Sequence, residues 1–332
     1  MRILITGGTG FVGRHLLDQI AAGVGPCDLS DVVITSRNHA DVGHQVEQVG
    51  WDVCNPDLPD VEFDAVIHAA TPASAELNAK APRMMFDQIV VGARNVIDLC
   101  ARQQAPPRLL FTSSGAVYGE MPEHLTAWPE DSRLAASPLD PKNAYANGKR
   151  AAEAMFAVAG DEGICRPTIA RLFAFSGRHL PLDRHFAIGN FVRDAVAGGP
   201  IRVRGTGAAV RSYLDGDDMA SWLLKVLESP GFQDRVLHIG SDVPITILDL
   251  AFLVGTTLGN IAGVLVPVHT LGRTSNVDGS DRYVPETKET RRILGVPAPL
   301  SIDDSVDAML RAAIHASLCE NDGQRGKDFP AL

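Results

Sequence analysis

Positive charge is what this chain of 332 residues is short of, its formal net charge being -10. A general polyanion binder needs an excess of Lys and Arg to meet phosphate backbones, so nucleic acid is excluded as a partner, and any phosphate must be met at a local site. Cysteine is scarce as well. Cys27, Cys54, Cys100, Cys165 and Cys319 are odd in number, scattered and never in Cys-x-x-Cys spacing, which speaks against a disulfide framework and against a metal centre. No apolar stretch reaches the length of a membrane span. At the N-terminus Arg2-Ile3-Leu4-Ile5 runs straight into Thr6-Gly7-Gly8-Thr9-Gly10, leaving no room for the apolar core of a signal peptide, so a cytoplasmic protein away from membranes is expected. Repeats and low-complexity blocks are missing too. What the chain has is 45% hydrophobic residues, enough to bury a full core.

Through the first half, short apolar runs alternate with longer helical patterns: 2–6 then 11–22, 31–36, 64–68 then 82–102, and 108–113 then 145–159. That alternation predicts βαβ units with right-handed crossovers, hence an α/β fold with a doubly wound parallel sheet of the Rossmann type. Beyond the strand predicted over 164–172 the pattern loosens into Gly and Pro punctuation, with helices predicted over 186–197, 217–227, 247–258 and 302–316. Three parts are expected: a first domain over 1–175, a smaller α/β lobe over 176–316 of which part returns to the first domain, and a polar tail over 317–332 that frays.

The turn Gly7-Gly8-Thr9-Gly10-Phe11-Val12-Gly13 follows the first strand and opens an amphipathic helix. Glycines at 7, 10 and 13 allow a tight turn and close backbone approach, and the helix N-terminus that carries Phe11 and Val12 suits a pyrophosphate. Such a turn at the head of a βαβ series predicts a dinucleotide. At the end of the second strand an acidic residue would select NAD by binding its ribose hydroxyls, but this chain has Ser36-Arg37 there. A hydroxyl and a guanidinium suit a 2′-phosphate and favour NADP over NAD. An arginine stacked on adenine would serve NAD equally. Asp52-Val53 is placed to meet the adenine edge, or else Asp52 caps its own loop.

Tyr145 and Lys149 lie four residues apart on a predicted helix, so an ammonium can sit near a phenol and favour its phenolate. They follow Leu109-Leu110-Phe111-Thr112-Ser113-Ser114-Gly115, an apolar strand ending in two hydroxyls and a glycine turn, where open α/β sheets place their chemistry. His39 and His44 have no ligand spacing, and Met84-Met85-Phe86 reads as a helix's core face.

Taken together, the glycine turn, the Asp52 step, His68-Ala69-Ala70, Ser113-Ser114-Gly115-Ala116-Val117-Tyr118-Gly119 and Tyr145-x-x-x-Lys149 resemble the extended short-chain dehydrogenase/reductase family. Within it the chain looks like the nucleotide-sugar epimerases, dehydratases and reductases. The likeness continues through Gly205-Thr206-Gly207, Arg211-Ser212-Tyr213-Leu214 and His238-Ile239-Gly240-Ser241. The resemblance implies Tyr145 as acid/base, Lys149 as the group that lowers its pKa and holds the nicotinamide ribose, and Ser114 on the reacting sugar oxygen, with Ser113 the fallback. It implies cofactor contacts at Ala69 and Ala70. It also implies a nucleotide-diphosphate sugar held by Arg211, with Asn190 and Arg282 as weaker contacts, and a homodimer formed through a helix pair.

Departures from the family pattern bear on the reaction. Dehydratases of the 4,6 type place an acidic pair after the reacting hydroxyl; this chain has Gly115 and Ala116, so elimination would draw on Glu120 or His185. Ala174 and Ile89 replace asparagines common in relatives. A 4-keto sugar reductase using NADPH is therefore favoured, a 4-epimerase retaining NAD comes next, and a dehydratase is third. A dinucleotide-sensing protein without chemistry is the reading from another class, and the intact Tyr145 and Lys149 argue against it.

Overall fold

The apolar runs of the first half are buried on both faces, as strands of a parallel sheet covered by helices must be. The structure, a computed structural model, describes residues 1–132, 136–184, 186–229, 231, 235–272 and 281–325. The elements are β1 Ile3–Thr6, α1 Phe11–Ala21, β2 Val32–Ser36, β3 Glu47–Gly50, β4 Ala65–His68, α2 Ala75–Lys80, α3 Pro82–Ala101 and β5 Arg108–Ser114. Next come α4 Ala144–Asp161, β6 Arg166–Leu172, β7 Ala174–Ser176, α5 Ala187–Val196, β8 Ile201–Val203, β9 Val210–Arg211, β10 Tyr213–Asp215 and α6 Gly216–Glu228. The chain closes with β11 Val236–Ile239, β12 Ile245–Thr246, α7 Ile247–Ala262, β13 Val268–Thr270, β14 Arg282–Tyr283, α8 Lys288–Leu294 and α9 Ile302–Arg325.

The central sheet has seven strands in the order β11-β6-β5-β4-β1-β2-β3, every pair parallel. Strand order reverses between β1 and β4, and there Thr6 stands level with Thr35 and His68. That carboxyl edge is where an open α/β sheet binds ligands. Alternation along β1 sends Ile3 and Ile5 to one face with Leu16, Leu17 and Leu223, and Leu4 to the other with Val66, Ile89 and Phe156. Each face is thus sealed by a helix pair, α1 with α6 and α3 with α4.

After β6 the chain alternates between two bodies of structure. β7 and β10 pair beside the sheet, α6 returns to cover it, and β11 adds its last strand against β6. A separate core of Ile188, Phe191, Ile201, Leu250, Val254 and Leu310 is built from α5, α7, α9 and β8, with β13 paired to β8. β11 lies where the alternation of strand and helix patterns has lapsed; its partner β6, not its own period, makes it a strand. The last helix also runs past its predicted end at Ala316 to Arg325. No proline interrupts that stretch, and a single glycine only weakens a helix.

Candidate active site

Two glycines show what the first turn is built to admit. Gly7 has φ +74°, and a Cβ there would stand 2.9 Å from the backbone of Ala70; at Gly13 a Cβ would stand 2.5 Å from Gly8. The turn therefore lies flat against the end of β4, and α1 begins with its N-terminus open. Gly10 caps it without a side-chain bond, and no acidic residue stands in its first turn. The N–H groups at the start of a helix have no acceptors within it, so Phe11, Val12 and Gly13 present donors and positive dipole to whatever lies above. The N–H groups of Ala69 and Ala70 donate to Thr6 Oγ1, each at 3.2 Å. This cradle fits a dinucleotide pyrophosphate.

The other expected cofactor contacts are less uniform. Ser36 turns its hydroxyl to the Asn38 carbonyl at 2.6 Å, while Arg37 is exposed and makes no hydrogen bond or ion pair with the described residues. Asp52 accepts from the Cys54 N–H at 2.9 Å, the loop-capping arrangement, and Val53 is buried in the core. Behind the cradle, His15 and Asp18 on α1 meet Arg178, His179 and Asp217. His44 joins them, with Nε2 2.6 Å from Asp18. Burial alone would raise the Asp18 pKa, but hydrogen bonds from His44, His179 and Arg178 outweigh it and hold the carboxyl well below the usual range. The network fastens α1 to the loop after β7 and to α6.

Tyr145 and Lys149 share the face of α4 turned to β5. The start of α4 has no side-chain cap of its own; Asn78 of α2 accepts from the Tyr145 N–H at 2.9 Å and donates to the Lys142 carbonyl at 2.7 Å. Lys149 is 1% exposed, and its Nζ donates to Thr71 Oγ1 at 2.5 Å and to the Thr112 carbonyl at 2.6 Å. It also lies over the rings of Phe111 and Tyr145, 4.8 Å and 5.8 Å from their centroids. Burial pushes its pKa down to about 7, against a smaller upward pull from Glu153. The same burial raises the Tyr145 pKa, with Ser114 pulling it back. No lowering by Lys149 is found: with a pKa of about 7 the lysine has lost its charge before the phenol titrates, and desolvation governs the phenol.

Strand alternation decides between the two serines. Ser113 donates to Glu153 Oε1 at 2.5 Å, two turns along α4 from Tyr145, and so is committed elsewhere. Ser114 accepts from the Ala116 N–H at 3.2 Å and lies 3.3 Å from the Tyr283 hydroxyl, which reaches the Leu172 carbonyl at 3.3 Å. Tyr283 was not singled out in the sequence, and nothing local could have done so, since 169 residues separate it from Ser114. Position 115 is closed to side chains: a Cβ there would stand 2.5 Å from the Phe173 ring. Glu120 is exposed, and His185 lies outside the described residues.

Of the substrate contacts expected from the second lobe, Arg211 and Asn190 are already engaged. Arg211 grips the Asp281 carboxylate at 2.9 and 3.0 Å and bonds the carbonyls of Val210 and Asp281. Asn190 donates to the carbonyls of Arg184 and Phe186 and accepts from Arg193, within its own helix start. Arg282 alternates with Tyr283 along β14, so it points to the opposite face, and its buried Nε has no hydrogen-bond partner among the described residues. Ile89 packs beside Gly148 between α3 and α4, a core contact rather than a site residue.

An open parallel sheet with a glycine cradle at its switch point and a Tyr-Lys pair beside it, the lysine buried and the tyrosine partly so, defines a dinucleotide-dependent α/β enzyme. A model of the NAD dependent epimerase/dehydratase family matches residues 3–240, and the chain belongs to that family. Among curated proteins it is similar to UDP-glucuronic acid decarboxylase 2 of Arabidopsis thaliana, 28% identical over 318 residues, or 94% of this chain and 68% of that one. Among solved structures it resembles the dTDP-glucose 4,6-dehydratase DesIV of Streptomyces venezuelae, with NAD bound (TM-score 0.80, 23% identity, 98% of each chain). It also resembles MoeE5 in complex with UDP-glucuronic acid and NAD (TM-score 0.78, 19% identity, 95% of this chain and 100% of that one).

Lys149 makes stability depend on pH in a defined direction. An unfolded lysine keeps its ordinary pKa near 10.5, so between about pH 7 and 10.5 the unfolded chain holds a proton that the folded chain has shed. Stability from this group therefore rises with pH across that window. Relative to Lys149→Met, the wild-type protein is expected to gain about 2–3 kcal/mol between pH 7 and pH 9. Denaturant titrations of both proteins at the two pH values measure this, and parallel pH dependence would contradict it.

Proposed function

We propose that the protein transfers hydride from a nicotinamide cofactor to C4 of a nucleotide-diphosphate 4-keto sugar, giving the alcohol. What meets Ser114 among the described residues carries this reading: the hydroxyls of Tyr283 and Tyr145, and no carboxylate. NAD(P)H, when bound, supplies the hydride. Tyr145 gives its phenolic proton to the carbonyl oxygen, Ser114 donates a hydrogen bond to the same oxygen, and the phenolate left behind is stabilised by the Lys149 ammonium until solvent reprotonates it.

Competing reactions ask for groups that are missing or engaged. Elimination of water needs an acid or base next to the reacting hydroxyl, and Phe173 leaves no room for one at position 115. Decarboxylation of a uronic acid needs a cation to receive the carboxylate. Yet Lys149 is bonded to Thr71 and Thr112, Arg171 to Glu153 and Arg211 to Asp281. The relatives' names favour decarboxylation of a UDP-uronic acid with retained NAD as a second reading, in which a substrate carboxylate would displace Asp281 from Arg211. Arg37, exposed and without a partner among the described residues, supports NADPH as the reductant.

Mass spectrometry of a panel of nucleotide sugars and their 4-keto forms, incubated with NADPH, NADH or NAD, separates these readings. A gain of two hydrogens is expected; loss of carbon dioxide would support the second reading, and loss of water would overturn both. The cofactor preference has its own test. Arg37→Ala is expected to weaken NADPH binding at least about tenfold while leaving NADH within about twofold, and unchanged NADPH affinity would remove the 2′-phosphate assignment.

A further inference from the structure

One turn beyond Lys149 on the same face of α4 stands Glu153, whose carboxylate is largely buried. Its oxygens accept from Ser113 at 2.5 Å and from Arg171 Nε and Nη2 at 3.0 and 2.7 Å. Arg171 lies over the Tyr118 ring, 4.8 Å from its centroid, and donates to its hydroxyl at 2.7 Å. That hydroxyl is 2.6 Å from His238 Nε2, and His238 Nδ1 is 2.9 Å from the Glu286 carbonyl. Burial pushes His238 down to about 4, so at neutral pH it is uncharged, donates from Nδ1 and accepts the Tyr118 proton at Nε2. Arg171 donates to both sides, to Glu153 and to Tyr118, and the network fixes a negative charge on the lysine's face of α4 from β5, β6 and β11 together.

We propose that Glu153 is a positioning residue that keeps the Lys149 ammonium charged and so sets the pH range in which Tyr145 can work. The proposal rests on the role given to Lys149 in the reading above. The groups that face Lys149 leave Glu153 as its carboxylate partner among the described residues. From β4 it meets His68, which burial and Lys149 itself drive down to about 3, so it is neutral. β5 offers a carbonyl and the Phe111 ring, and Thr71 offers a hydroxyl. Along α4 there is the Tyr145 phenol. α3 turns Phe86 and Ile89 to α4, while its charged residues Arg83, Asp87, Arg94 and Asp98 are exposed. Arg171 holds both oxygens of the Glu153 carboxylate, and the pull of that carboxylate on Lys149 is upward.

The test reads Lys149 directly. Lys80, Lys142, Lys149, Lys225, Lys288 and Lys327 are the chain's only lysines. With lysine labelled at the ε-carbon, the Lys149 resonance is identified by its loss in Lys149→Met and titrated by NMR. In Glu153→Gln its midpoint is expected to fall by about one pH unit, and the alkaline limb of nucleotide-sugar turnover is expected to fall with it. Glu153→Asp restores most of both. Because Glu153→Gln leaves Arg171 buried without its partner, Glu153→Gln/Arg171→Met is the second variant, with a shift in the same direction. A Lys149 midpoint unchanged in a folded variant overturns the proposal, whatever happens to activity. A shifted midpoint in a protein that turns over no nucleotide sugar leaves the coupling standing and overturns the reaction reading instead.

Discussion

A lysine ammonium taken out of water is the constraint on which the rest of the site depends. Lowering the Lys149 pKa from 10.5 to about 7 corresponds to about 5 kcal/mol of disfavoured charge. Two short hydrogen bonds, the faces of two rings and the Glu153 carboxylate offset the remainder. Each of those partners has to be brought by a different element: Thr112 by β5, Thr71 by the segment after β4, Glu153 by α4 itself. The register of the parallel sheet, the seating of α4 and the clamp of Asn78 at its start all serve to place one charge.

The same logic explains which parts of the molecule were legible in the sequence. The parallel sheet was, because apolar runs buried on both faces and alternating with amphipathic helices have few other folds available. The glycine turn was, because only glycine tolerates both the φ of Gly7 and its approach to Ala70. The line Tyr145, Lys149, Glu153 was readable in principle, since helical spacing extends as easily to the next turn as to the first. Its third member went unnoticed because a carboxylate on a helix is ordinarily solvated.

What could not be read is what depends on register and distant pairing. Ser113 and Ser114 are indistinguishable as letters, and the pleat of β5 sends one to Glu153 and the other to Tyr283. Tyr283 arrives on a two-residue strand whose only reason to be a strand is β9. Arg211 was expected to hold a substrate's diphosphate, and its neighbour Asp281 holds it in an ion pair that no local pattern announces. In each case the missing information is a partner far along the chain. Membership of the NAD dependent epimerase/dehydratase family fixes the cofactor class and the fold, while the choice of reaction comes down to which side chains beside Ser114 are present and free.

The central claim is that Tyr145 moves the proton that accompanies the hydride. Its most direct measurement is the rate at which deuterium passes from C4-deuterated reduced cofactor into the sugar in Tyr145→Phe, with cofactor affinity determined in parallel. Affinity close to wild type and label transfer slowed by at least about 10²-fold are expected. Label transfer at the wild-type rate would contradict that claim.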